Sequence, residues 1–488
     1  MAKSGYLKSP DLFPISQQNR KMSTAGFAIL WVSMAVVLAA FAIGGDGIQQ
    51  LPLHLVILAT LVGSIGIGIC MTLTGDIGIE HGLSFPVYLR APFGTIGTHI
   101  PSIMRGFVAS CWFGVNTFFG ATGMNAILLM VFGIDQWFLC FLVFAALQLF
   151  NTAFGIKAVE RFANLAAPII VIISGWMYIT LSDQAQAAGR NIWGWVENPV
   201  AGPAMIGSFA VIAMATMGFW GTLAADMPSI SRFIKAPKYE RNWFKRNKGQ
   251  LIGSLIAMPL VHTFMVIVGA VSYIAVSISN PVDALLETTN NILLLGVLML
   301  MIALAQWSTN TSSNLIPAAT IFSNVGGPRV PHWVGVIIAG LIGILVQPWN
   351  LFAIIVPALL IVGGILASIV GILVADYYFI RKRRVNVTEL YEDKGQYHYW
   401  KGMNLAGLLS WAIGGGVSLL IPSYSYLVGF VVGGLLYYVS AKYWWFKKYK
   451  QAELENPNDE LYLGLTVGRD WTIDETESEK EELLAEEA

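Results

Sequence analysis

Apolar residues along this chain come in long blocks, not in strand-like alternation or heptads. After a polar opening segment, such blocks run at about 26–44, 52–75, 100–131, 135–155, 162–182, 204–225, 250–279, 291–312, 332–348, 351–378, 403–421 and 424–445. Most reach the ~20 residues that an α-helix needs to cross the hydrocarbon core of a bilayer. The pattern therefore predicts an all-α polytopic membrane protein of about twelve transmembrane helices. A further apolar stretch near 84–92, in "SFPVYLRAPFG", is too short to span and reads as re-entrant or interfacial.

Loop charge tests that count independently. With a cytoplasmic N-terminus, every even-numbered connection is cytoplasmic as well. Those connections hold Arg90; Lys157 and Arg161; the run from Arg232 to Lys248; Arg329; and Arg381, Lys382, Arg383 and Arg384. Lys447, Lys448 and Lys450 follow the last block, whereas the odd-numbered connections have almost no Lys or Arg, Arg190 being the exception. This is the positive-inside bias, and miscounting by one span would break it. The expected organisation is a cytoplasmic segment over 1–25, a twelve-helix domain over 26–445 and an acidic cytoplasmic tail over 446–488, multi-pass in the cell membrane. The opening segment has no signal-peptide pattern and is expected to be retained. The tail ends "EKEELLAEEA" and reads as solvated and partly disordered.

Composition agrees with this reading. The hydrophobic set makes up 56% of the 488 residues and charged residues 12%, against about one quarter charged in soluble domains. Lys plus Arg and Asp plus Glu balance at 29 each, which argues against a nucleic-acid partner. Cys70, Cys111 and Cys140 lie in apolar blocks without metal-ligand spacing and read as small packing residues.

A dozen spans imply a path or pocket within the bundle, and carriers commonly place it where helices are interrupted near the bilayer midplane. Two blocks have that character. The first reads "WVSMAVVLAAFAIGGDG"; the sixth reads "MATMGFWGTLAADMPSISRF", with Gly218 and Gly221 flanking Trp220. They lie five spans apart, as first helices of two five-helix inverted repeats would. The eighth block ends in "ALAQWSTNTSSNLIP", with seven consecutive polar residues from Ser308 to Asn314. Helix packing explains one or two of these. The rest must face protein, water or a ligand, because an unsatisfied polar group in lipid costs several kcal/mol. Hydroxyls together with the free carbonyls of a broken partner helix would make an oxygen cage for a hard monovalent cation. In the third block, Trp112 and Asn116 stand i, i+4 on one helical face.

These motifs, with "IPSIMRGFVASCWFG", "ADYYFIRKRRVNVTELY" and "YHYWKGMN" in the same order over about 14–445, resemble the nucleobase–cation symporters of family 1. That family carries hydantoins, allantoin, uracil, cytosine and similar compounds. The resemblance implies a LeuT-like fold, an inverted five-helix repeat plus two C-terminal helices, working by alternating access. It implies that Trp112 and Trp220 stack on the heterocycle and that Asn116 and Asn314 supply side-chain amides. It also implies a Na⁺ site from the carbonyls of Ser33, Val36 and Ala305 and the hydroxyls of Ser308 and Thr309. The chain departs from hydantoin-carrying members at Val37 and Asn116, where they have Gln, and at Phe219, where they have Gly. The pocket is therefore expected to be reshaped and the substrate not to carry over.

The chemistry of these residue types agrees. A planar ureide or nucleobase offers two π faces and an edge of donors and acceptors. Base–aromatic stacking contributes on the order of 1–3 kcal/mol per contact, and an Asn amide matches the edge with both a donor and an acceptor. No charged side chain is required, so a neutral substrate is expected. The expected function is import of such a heterocycle by cation symport across the bilayer, with Na⁺ as coupling ion and no cofactor. Coupling by H⁺ is the alternative and needs a titratable group at depth. Asp46, Asp76, Glu80, Asp226 and His262 are the candidates. An amino-acid carrier of the same fold remains a competitor. An enzyme is not expected, since the spans hold no nucleophile–base or metal constellation; nor is a channel, since no filter or ring of pore charge appears.

Overall fold

The computed structural model describes residues 7–8, 12–154, 158–289, 291–471 and 473, and is helical throughout its spans. Every predicted apolar block is a helix. Among the described residues, by length and composition alone, six helices qualify as spans and the bent first pair makes a seventh, while Trp137–Ala153, Ile292–Leu304, His332–Leu345 and Leu405–Leu419 are shorter apolar helices. Large aliphatic side chains such as Ile172 (70% exposed) and Leu293 (79% exposed) point outward along them. Apolar exposure on this scale is the surface of a protein solvated by lipid. The stretch at 84–92 forms two short buried helices, Phe85–Tyr88 and Arg90–Phe93, which do not span.

The two predicted interruptions differ. The first span is cut into Thr24–Ala35 and Ala40–Ile48, which meet at 59°. Its second half is clamped to the seventh span, Lys248–Val276, where a Cβ on Gly44 would stand 2.0 Å from the Val266 carbonyl oxygen. Only glycine permits that approach. The sixth span is interrupted at a single residue, Trp220 (φ −95°, ψ 1°), and continues in nearly the same direction from Pro203 to Ser231. The eighth span also departs from expectation. It does not end at its polar run but passes through a π-helical turn, Thr311–Leu315, and continues over Ile316–Gly326. The polar residues therefore sit in mid-helix, and π-turns of this kind frequently mark functional sites.

The described segments nearest the two chain ends pack on one face of the bundle, here called the terminal face. There the Gln17 amide donates to Asp470 at 2.8 Å, and the tail segment up to residue 471 folds back across the helix ends. Gly464 and Thr466 donate backbone N–H bonds to Glu80, and buried Arg381 pairs with both Asp376 (2.8 Å) and Glu453. Arg246 binds Asp76 at 2.8 Å and Glu80 at 3.1 Å. Burial works against the Arg246 cation, but these two carboxylates outweigh it and raise its pKa. Residues 474–488 lie outside the described residues.

Candidate functional site

The break in the first span frees backbone oxygens. In an unbroken helix the Val37 and Ala40 amides would bond to the carbonyls of Ser33 and Val36. Here the Val37 amide turns to Ala35 (3.0 Å) and the Ala40 amide to Val37 (3.1 Å). Both carbonyls that the resemblance nominates thus lose their i+4 donors, the condition under which a helix end acquires cation-ligating oxygen. Met34 and Val37, beside this break, line a cavity of about 40 Å³ whose other walls include Trp112 and Asn116 of the third span, Phe219, Trp220, Thr222 and Leu223 of the sixth, and Thr309, Ser313 and Asn314 of the eighth. The cavity brings together the nominated substrate residues and Thr309. The side chains of Ala305 and Ser308 lie outside the described residues.

The polar groups at and behind this cavity fall into two sets, and Asn310 and Thr311 stand behind its wall. Asn310 donates to the Phe113 carbonyl (3.0 Å), Thr117 (3.1 Å) and Gln148 (3.0 Å), tying the eighth span to the third and fourth. Thr311 bonds back to Trp307. These members of the polar run are packing residues. Asn314 donates to the Asn310 side-chain oxygen at 2.9 Å, so it is oriented by that network while lining the cavity. In contrast, Asn116 Oδ1, Trp220 Nε1 and Ser313 Oγ are buried without a partner among the described residues. Three unsatisfied polar atoms around one cavity are costly unless a ligand or water completes them.

The rings are arranged asymmetrically. Phe219 lies against Trp112, with centroids 4.6 Å apart and planes tilted by 56°, and also touches Trp220 at 5.2 Å. Behind Trp220 stand Trp31 at 5.5 Å and His262 at 5.5 Å, both edge-on. On the far side of Trp112 is a second, apolar cavity of about 230 Å³, lined by Val108, Cys111, Val115, Gly218 and Leu359 among others. Trp112 is the wall common to both. The first cavity is far below the ~300–1,000 Å³ of a small-molecule site. Admitting a heterocycle requires Phe219 or a neighbouring wall to give way.

Of the ionisable candidates, Asp76 and Glu80 belong to the terminal-face network, Asp226 pairs with Arg105 at 3.2 Å, and Asp46 is exposed. His262 is fully buried, neither ring nitrogen has a partner among the described residues, and its ring lies 5.1 Å from Phe219. Sequence reasoning did not single out Met34, Thr222 and Leu223 as wall residues, or Trp31 as the support behind Trp220. Nothing in residue type marks them, since only the folded chain brings them to the cavity.

Comparison with known proteins agrees with this architecture. The profile of the family described as permeases for cytosine/purines, uracil, thiamine and allantoin matches residues 14–444. A hydantoin permease of Microbacterium maritypicum is 28% identical over 94% of this chain and 93% of its own length. An allantoin permease of Bacillus subtilis is 29% identical over 89% and 93%. Among solved structures, Mhp1 in an inward-facing conformation superposes with a TM-score of 0.85 at 26% identity, over 94% of this chain and 99% of that one. Mhp1 in a closed conformation with bromovinylhydantoin, where it is called a nucleobase-cation-symport-1 family transporter, gives 0.82 at 25% identity over 93% and 100%. The chain is therefore a membrane transporter and not an enzyme, and it belongs to the cytosine/purine permease family.

Proposed function

We propose that this chain imports a neutral planar heterocycle of nucleobase, hydantoin or allantoin type by alternating access, coupled to Na⁺. The observation that carries the reading is the cavity between the first, third, sixth and eighth spans. It is walled by Trp112 and Trp220 and edged by the unpartnered Asn116 Oδ1 and the oriented Asn314 amide. The indoles supply stacking faces and the amides a donor–acceptor edge, and among the described residues no charged side chain lines the cavity. The hydantoin and allantoin permeases among its relatives support the substrate class.

The freed carbonyls of Ser33 and Val36, with Thr309 on the same cavity, support a cation site built from the first and eighth spans. Because Thr309 and Asn314 share one helix, cation and substrate stabilise a common arrangement, and their coupling is a reciprocal free energy. H⁺ coupling is favoured by one observation, the unpartnered His262 against Phe219 and Trp220. The basic residues on the terminal face support a cytoplasmic placement of both chain ends.

Uptake of labelled uracil, cytosine, allantoin and hydantoin, in cells lacking their own nucleobase carriers, tests the substrate class against an amino-acid panel. Repeating it with Na⁺ replaced by choline at fixed pH tests the ion. Undiminished uptake in choline refutes sodium coupling, and uptake of amino acids alone refutes the heterocycle.

A further inference from the structure

Away from the transport cavity, a recess of about 450 Å³ opens on the terminal face between the ends of the tenth and twelfth spans. The tenth span finishes in a π-helical turn, Ala375–Ile380, the twelfth passes through one, Ala441–Trp445, just before its end at Lys448, and the docked tail forms the opposite wall through Leu454, Glu455 and Pro457. Five cationic side chains line it, and their pairing differs. Arg381 is buried and neutralised by Asp376 and Glu453; Arg384 is paired with Asp459 at 2.7 Å. Glu455, on the rim, is engaged by Lys450 at 2.7 Å. Lys382, Lys442 and Lys447 are exposed, and among the described residues none has a carboxylate within ion-pair distance.

Basic residues near helix C-termini are common, because they complement the macrodipole and follow the positive-inside bias. That accounts for lysines at these positions but not for three unpaired ones converging on a preformed recess. Lys442 is held there, its ammonium donating to the Tyr438 hydroxyl at 2.5 Å and lying 4.8 Å above that ring. Phe379, which lines the recess, is 65% exposed, and Trp444, at the same span end as Lys442, is 68% exposed. Aromatic side chains exposed at span ends sit at the headgroup level of a bilayer, which sets the depth of the recess. An anion reaching the lysines from that level has apolar chains alongside it.

From this geometry we infer a binding site for the phosphate headgroup of an anionic phospholipid, with Lys382, Lys442 and Lys447 holding the phosphodiester and Phe379 flanking the glycerol and upper acyl segments. Basic pockets between helix ends are the usual form of such sites. Inorganic phosphate shares the ionic chemistry but makes no use of the aromatic rim, so the lipid is the occupant the recess favours. The bound lipid bridges the tenth span, the twelfth span and the folded tail. The inference does not depend on which substrate is carried.

Native mass spectrometry of the full chain, released from micelles doped with phosphatidylglycerol, phosphatidylcholine or inorganic phosphate, tests it. Phosphatidylglycerol is expected to stay bound and phosphatidylcholine to leave. Retention should fall roughly fivefold for each lysine removed across Lys382→Gln, Lys442→Gln and Lys447→Gln, matching the contribution of a basic residue near an anionic membrane surface. The pair Lys245→Gln and Lys248→Gln, exposed on the same face but outside the recess, should change nothing. Equal retention of both lipids, an unaffected triple variant, or an equal loss in the control pair overturns the site. Displacement of the lipid by equimolar inorganic phosphate overturns the lipid assignment.

Discussion

Arg105 of the third span and Asp226 of the sixth form an ion pair at 3.2 Å, with side chains 2% and 10% exposed, inside the bundle. Arg105 lies two helical turns before Trp112, and Asp226 six residues beyond Trp220, both toward the terminal face. The pair therefore ties the third span to the sixth between the cavity and that face, on the side where the alternating access proposed above would have to open a path. Removing one partner strands a buried charge at a cost of about 3–5 kcal/mol. Arg105→Met and Asp226→Leu should each lower the melting temperature sharply, and the double variant should recover most of the loss. Uptake is expected to stay impaired in all three. If uptake returns along with stability in the double variant, the pair is structural and not a gate.

Thr309 is expected to report the cation. It lines the cavity next to the break that redirects the amides from Ser33 and Val36. Thr309→Val keeps the volume and removes the hydroxyl oxygen. Losing one hard ligand should shift the Na⁺ dependence of uptake upward by about tenfold, from roughly 1.4 kcal/mol for a hydrogen-bond-sized contact to a charge. Through reciprocal linkage, substrate binding at sub-saturating Na⁺ should weaken by a similar factor. Unchanged Na⁺ dependence separates Thr309 from the site.

Asn116 should discriminate among heterocycles. Its Oδ1 is buried and unpartnered, so a substrate N–H is its natural donor. Asn116→Leu leaves that N–H unsatisfied at a cost of about 1–3 kcal/mol, a roughly 5- to 150-fold loss of affinity measured by equilibrium binding. Because Leu is apolar and of similar size, the fold should hold, and thermal stability should stay within a few degrees of wild type.

Much of this was legible in the residues. Twelve blocks and alternating loop charge anticipate the helices because lipid leaves a chain few ways to satisfy its backbone. The break after Ala35 was legible too, from small residues followed by glycines. The sixth span shows the limit. Its glycines predict the same interruption, yet Gly218 serves a different purpose: its missing Cβ lets the tenth span approach, since a Cβ there would stand 2.2 Å from the Leu359 carbonyl oxygen. The polar run of the eighth span was equally ambiguous. Asn310 and Asn314 are the same residue type four positions apart, but one knits three helices together and the other lines the cavity. Only the neighbours on other spans separate the two roles. The same holds for Asp76 and Glu80, whose partner Arg246 is about 170 residues distant.

That close approach gives a stability test. Gly218→Ala drives a methyl group into the tenth-span backbone, which cannot yield as a side-chain tip would. Overpacking of this kind costs about 1–3 kcal/mol. The melting temperature should drop, and Gly363→Ala, opposite it with a Cβ 2.6 Å from the Gly218 Cα, should behave alike. Wild-type stability in either variant indicates that the spans separate freely along this seam.

Trp112 is the one residue that lines both cavities, about 40 Å³ on the side of Trp220 and about 230 Å³ on the side of Leu359. Trp112→Ala should therefore do more than remove a stacking face. It joins the two spaces and leaves Phe219, now lacking its contact at 4.6 Å, free to swing into the gap. Loss of one stacked contact predicts a weakening of about 1–3 kcal/mol for a small heterocycle such as uracil. A heterocycle with a bulky apolar substituent should lose less, because the merged apolar space can accept the substituent. Trp112→Phe restores a ring without the full indole area and should recover part of the uracil affinity while keeping the cavities apart. Equilibrium binding of uracil and of a benzyl-substituted hydantoin to the three proteins reads both effects. An equal loss for the two ligands in Trp112→Ala rules out the partition role, and an unchanged uracil affinity rules out the stacking role.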